Sequence, residues 1–141
     1  MIAETSWKHD DVGSLELLGA LEVRFTLPVA IELRDPTPDC MEVHLEARND
    51  EQFGTDGPWQ VFAIPGVQSF VAASRVRFKS AVPQQALKKV APQGGRVRIR
   101  VHCWRLFDKQ GGLFSAAPDL IVGQATPRLP GGTFESWFRL G

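Results

Sequence analysis

Residues 96 to 106 read RVRIRVHCWRL, in which cationic and aliphatic side chains alternate strictly from Arg96 to Val101. Successive side chains of an extended strand point to opposite faces, so such a stretch satisfies water and a core together only as a half-buried β-strand. Val97, Ile99, Val101 and Cys103 then point inward, and Arg96, Arg98, Arg100, His102 and Trp104 point outward. Wound as a helix, the same residues would scatter both classes around the axis.

The two-residue period recurs along the chain. LEVRFTL places Leu21, Val23 and Phe25 on one face and Glu22, Arg24 and Thr26 on the other. VAIELR repeats it after Pro28 with Val29, Ile31 and Leu33, and MEVHLEAR turns Met41, Val43, Leu45 and Ala47 inward while showing Glu42, His44, Glu46 and Arg48. WQVFAI, SFVAASRVRFKS, DLIVGQA and TFESWFRL bring the expected total to about eight strands. RDPTPD, NDEQFGTDGP, PQGG, DKQGG and LPGG supply the glycines and prolines that chain reversals need. PQQALKKV, with Pro83 as first helical residue, predicts one helix of about two turns, and SLELLGAL fits helix or strand.

Short strands with almost no helix to cover a parallel sheet predict antiparallel sheets packed face to face. The expectation is one all-β domain over residues 1–141: an antiparallel β-sandwich, immunoglobulin/fibronectin-like or C2/jelly-roll-like, with one short helix. A chain of 141 residues is long enough to bury such a core without disulfides.

Net charge is zero, which removes global attraction to nucleic acid or anionic lipid. The zero hides a partition: residues 1–57 hold 13 acids against 4 Lys and Arg, and residues 58–141 hold 3 against 12. Within one domain this partition predicts acidic early strands lying beside basic late ones. Cys40 and Cys103 form neither a disulfide framework nor a metal-spaced pair and are expected as free thiols, Cys103 inward and Cys40 on the outward phase of its strand. With an acidic N-terminal stretch and no long apolar run, a cytoplasmic, membrane-free setting is expected.

Several residue groups are candidates for function. Arg96, Arg98 and Arg100 would join Arg75, Arg77 and Lys79 in a basic platform if their strands paired; otherwise they meet Glu22, Glu32, Glu42 and Glu46 as cross-strand ion pairs, the favoured arrangement. The acidic loops carry Asp35, Asp39, Asp50, Glu51 and Asp56, oxygen donors for Ca²⁺ or a small ligand if the loops converge. His44, flanked by Glu42 and Glu46, and His102 would form an acid–base or metal cluster if their strands paired, although no metal-ligand motif is present. Trp104 and Trp137 fall on the polar phase of their strands beside arginines, a combination enriched where proteins hold partners.

The functional expectation is a non-enzymatic module without cofactor that binds a protein partner or a second copy of itself. Its contact residues would be Trp104, Trp137, Arg96, Arg98 and Arg100, with nucleic acid disfavoured. Ion or ligand binding through the acidic loops, and a metal-dependent or acid–base enzyme built on His44 and His102, are the alternatives.

Overall fold

A computed structural model describes residues 2–25, 40–48, 59–102, 124–125 and 133–140. The described strands are β1 (Ile2–Thr5), β2 (Val12–Gly13), β3 (Leu21–Phe25), β4 (Met41–Ala47), β5 (Gln60–Ala63), β6 (Gly66–Ala72), β7 (Arg75–Ser80), β8 (Gly95–His102), β9 (Gln124–Ala125) and β10 (Thr133–Leu140). One α-helix, α1 (Gln84–Val90), follows β7, and a 3-10 turn covers Leu15–Gly19.

The strands form two sheets. One runs β1-β3-β7-β6; the other runs β2-β10-β8-β4-β5, with β9 also against β10. Every pairing is antiparallel except β2 with β10. The chain is thus an all-β sandwich with one short helix.

The alternation predicts the core well. Leu21, Val23 and Phe25 of β3 and Val76 and Phe78 of β7 are buried in one cluster with Val43 and Leu45 of β4, Val97, Ile99 and Val101 of β8, and Phe134 and Phe138 of β10. Each such side chain contributes about 1.5–3 kcal/mol by leaving water. Gln68, on the inward phase of β6, ties the sheets together. Its Oε1 accepts from the backbone N–H groups of Cys40 and Met41, each at 2.9 Å, and its Nε2 donates to the Met41 carbonyl at 2.8 Å.

Several elements differ from expectation. SFVAASRVRFKS is a hairpin, broken at Ala73 and Ser74 into β6 and β7, because two small residues there allow the reversal. SLELLGAL forms the 3-10 turn, which buries Leu18. Pro83 caps α1 from an extended conformation instead of starting it. Cys40 is buried, not outward: it precedes β4, where its carbonyl accepts from His102 N–H and its own N–H is held by Gln68. Val29, Ile31, Leu33, Cys103 and most of DLIVGQA lie outside the described residues.

Candidate functional site: the arginine face and its open end

The arginine row lies on the central strand of the larger sheet, and its register fixes what it meets. Opposite Arg96, Arg98 and Arg100 stand Glu46, His44 and Glu42 of β4 on one side, and Arg139, Trp137 and Glu135 of β10 on the other. Glu46 takes Arg96 at 2.7 Å and Arg98 at 2.8 Å on separate oxygens. Glu135 Oε1 lies 3.2 Å from Arg98 Nε and 3.7 Å from Arg100 Nε. The first of these is a close charge contact without hydrogen-bond alignment, since Arg98 Nε has no aligned acceptor.

Arg75, Arg77 and Lys79 belong to β7 in the other sheet, so the combined basic platform is not built. Arg77 is met there by Glu22 at 3.3 Å, and Arg24, which stands opposite Arg75, by Glu4 at 3.3 Å. The acidic early strands do neutralise the basic late ones, as cross-strand pairing favours. Glu32 lies outside the described residues.

At one end of the face the structure brings the expected histidines together on one carboxylate. His102 Nε2 is 2.9 Å from Glu42 Oε2, and His44 Nε2 is 3.4 Å from Glu42 Oε1. The hydrogen bond from His102 lowers the Glu42 pKa below its ordinary 4.5; burial opposes this, and the charges of His44, His102 and Arg100 reinforce it. Thr133 Oγ1 lies 3.3 Å from His102 Nδ1. Among the described residues no three His, Cys, Asp or Glu side chains are grouped to hold a metal ion.

Trp137 is half-buried on the outer face. Its indole N–H donates to Asp10 Oδ1 at 3.0 Å, its ring meets His9 edge-on at 4.3 Å between centroids, and the Arg96 guanidinium lies 5.1 Å above it. The N-terminal segment that holds it pairs along β10, with Asp10 N–H donating to the Trp137 carbonyl and Arg139 N–H to that of Asp11.

Trp104 and the acidic-loop residues Asp35, Asp39, Asp50, Glu51 and Asp56 lie outside the described residues. The described anchors of those loops, Cys40 and Arg48, stand at opposite ends of β4.

Two features escaped the sequence reading. Ser136 sits on the inward phase of β10 between Phe134 and Phe138, fully buried, where it joins Trp7 and His9; a polar residue on an apolar face was its signal. The second is a set of exposed apolar side chains. Trp59 and Val61 at the edge of the larger sheet are 53% and 61% exposed, Val67 on β6 is 65% exposed, and Phe62 and Val71 accompany them. Its signal was the complete lack of charged residues between Asp56 and Arg75.

At the end of the face opposite Glu42, a concavity of about 880 Å³ opens over the sheet. Among the described residues, Val12, Trp59, Val61 and Leu140 give it apolar walls, Arg48, Arg96 and Arg139 give it cations, and Glu46 gives it an acid.

Compared with known protein families, with curated proteins and with solved structures, the chain matches none. Among the described residues no helix is long and apolar enough to cross a membrane.

Proposed function

We propose that this chain is a non-enzymatic protein-binding β-sandwich, in its simplest form self-associating, with the side formed by β5 and β6 as its contact surface. One observation carries the reading: Trp59 just before β5, Val61 and Phe62 on β5, and Val67 and Val71 on β6 are exposed, and each of these two strands is the outermost described strand of its sheet. Edge strands present backbone donors and acceptors to another chain, and proteins that stay single guard them with charge. This edge carries none from Gln60 to Ala72. Tryptophan is the side chain most enriched among interface anchors, and a symmetric pairing of one edge with its copy is the commonest oligomer geometry.

The arginine face supports the same reading by subtraction. Arg96 and Arg98 are met there by Glu46, Arg98 and Arg100 by Glu135, and Arg139 by Asp10. Its cations already hold carboxylates, which leaves little charge to neutralise a phosphate backbone.

Sedimentation velocity over a micromolar concentration series tests the proposal. The wild-type chain is expected to show a concentration-dependent dimer, and Val61→Glu with Val67→Lys, both on exposed positions, to sediment as a folded monomer. A wild-type chain that stays monomeric throughout, with the variant indistinguishable from it, removes self-association.

A second reading rests on the Thr133, His102 and Glu42 series, a hydroxyl, an imidazole and a carboxylate within 3.3 Å and 2.9 Å of one another in turn. A base oriented by a carboxylate beside a hydroxyl is the arrangement that activates a nucleophile. Turnover of an activated ester, lost in His102→Gln with the fold intact, would favour it over the binding module.

A further inference from the structure

We infer that a second copy of this chain pairs with β5, antiparallel to it and centred on Val61, so that the larger sheets of two copies run on into one another. This pairing rests on the self-associating reading above and adds to it the strand, the register and the backbone groups that make the contact.

The described edge strands differ in how they are guarded. The register of β1 shifts between Ile2 and Glu4 and that of β6 between Phe70 and Ala72, and such irregularities bend an edge away from another chain. β2 and β9 have two residues each. β5 pairs with β4 in unbroken register from Gln60 to Ala63 and holds no charged residue. Neither a bulge nor a charge guards it.

The backbone groups of β5 divide between its two sides. Ile64 N–H donates to the Val43 carbonyl and His44 stands opposite Ala63, so the positions bonded to β4 are Gln60, Phe62 and Ile64. In an antiparallel pair these alternate with positions whose N–H and C=O point the other way, here Val61 and Ala63. The far side of β4 agrees in phase: the Cys40 carbonyl accepts from His102 N–H, which turns Glu42, His44 and Glu46 toward β8 and Val43, Leu45 and Ala47 toward β5. Among the described residues Val61 and Ala63 have no hydrogen bond on the outer side.

The sequence sets the register. Pro58 and Pro65, which lack an N–H, bracket the segment. An axis through Val61 places Val61 against its own copy and Trp59 against Ala63, all between the prolines. Axes through Phe62 or Ala63 would place Trp59 or Val61 against Pro65, which has no donor to give. The Val61 register also fits by volume. Trp59, Val61 and Ala63 share one phase, and an indole opposite a methyl with valine opposite valine covers Trp59 and Val61, now 53% and 61% exposed.

Amide hydrogen exchange of the wild-type chain, followed by NMR at about 10 µM and about 1 mM, tests the pairing. The Val61 and Ala63 amides are expected to exchange at least about ten-fold more slowly at the higher concentration. Gln68 and Phe70, whose N–H groups point off the edge of β6, are expected to keep their rates. Val61→Pro costs no bond to β4, because the N–H it removes points away from that strand, and is expected to sediment as a monomer with the near-ultraviolet circular dichroism of wild type. The exchange comparison needs no variant and decides by itself where Val61→Pro does not fold. A wild-type dimer with unchanged Val61 and Ala63 amides, or a dimer of folded Val61→Pro, overturns this pairing and leaves self-association standing. A wild-type chain that is monomeric at both concentrations removes the self-associating reading and this pairing with it.

Discussion

Glu46 and Arg96 face each other across β4 and β8 and meet twice on one oxygen: Arg96 Nε donates to Glu46 Oε2 at 2.8 Å, and Arg96 Nη2 lies 2.7 Å from the same atom. Arg98 occupies the other oxygen at 2.8 Å. This is the fixed point of the outer face, because one nearly covered carboxylate holds two half-buried cations in neighbouring rows. Glu46→Gln removes the charge and keeps the shape. It is expected to lower unfolding stability by about 2 kcal/mol, less than a fully buried pair would cost because both guanidinium groups still reach solvent. Urea denaturation at neutral pH measures the loss.

At the other end of β4, the histidine contacts of Glu42 make part of the stability depend on pH. Its carboxyl pKa is lowered in the folded chain, first by the His102 hydrogen bond. A depressed carboxyl pKa adds stability that is fully present above the unfolded value of 4.5 and is lost as pH falls through the folded value. Wild type is therefore expected to exceed Glu42→Gln at pH 7 and to converge on it as the pH falls below 4.5 and through the lowered folded value. Denaturation of both proteins across that range checks this; a constant gap down to the acid end would contradict it.

Buried Ser136 links two aromatic residues of the N-terminal segment to the core. Trp7 Nε1 donates to Ser136 Oγ at 2.8 Å, and the hydroxyl lies 3.0 Å from His9 Nδ1, which also accepts from the Trp137 backbone N–H at 3.4 Å. With Nδ1 an acceptor, the serine hydroxyl is its second donor. Ser136→Ala strands the buried Trp7 N–H and is expected to cost about 1–3 kcal/mol. The near-ultraviolet circular dichroism of tryptophan should change with it, whereas an exposed change such as Lys88→Ala should leave both unmoved.

Gly95 of β8 stands opposite Ala47 of β4. A Cβ there would fall on the Glu46 carbonyl oxygen, a backbone atom of the paired strand that cannot swing aside. Gly95→Ala is expected to destabilise by about 2–4 kcal/mol through separation of the central pair. Gly19 has nothing within 4 Å of its added Cβ, so Gly19→Ala should stay within about 0.5 kcal/mol of wild type. Thermal unfolding of the two variants side by side gives the comparison.

Much of the architecture was legible in the chain. Thr133–Leu140 is a strand with Phe134, Ser136 and Phe138 inward, as its alternation states, and Leu21, Val23 and Phe25 are buried as theirs does. Two-residue spacing reports only which face a side chain takes. It does not report where one strand stops when two follow each other through small residues, so the Ala73 and Ser74 reversal was invisible. Nor does it locate sheet margins: Phe62 has the inward phase, opposite Leu45, yet is exposed because β5 is the outermost described strand of its sheet. Cys40 shows the converse, an outward phase by alternation yet a side chain buried in the core, because it precedes β4 and is not bound by that strand's pleat.

The sequence by itself determined that Arg96, Arg98 and Arg100 share the outer face of a half-buried strand, because the sign of each side chain's exposure is set by backbone geometry and local order. Strand pairing alone decided what they face. Contacts between residues 50 positions apart, such as Glu46 with Arg96, depend on which strands become neighbours and in which register, and local alternation is the same for every such choice. Tertiary structure therefore set a row of cations against the carboxylates of Glu46 and Glu135, and it placed the uncharged β5 and β6 at the described margins of their sheets.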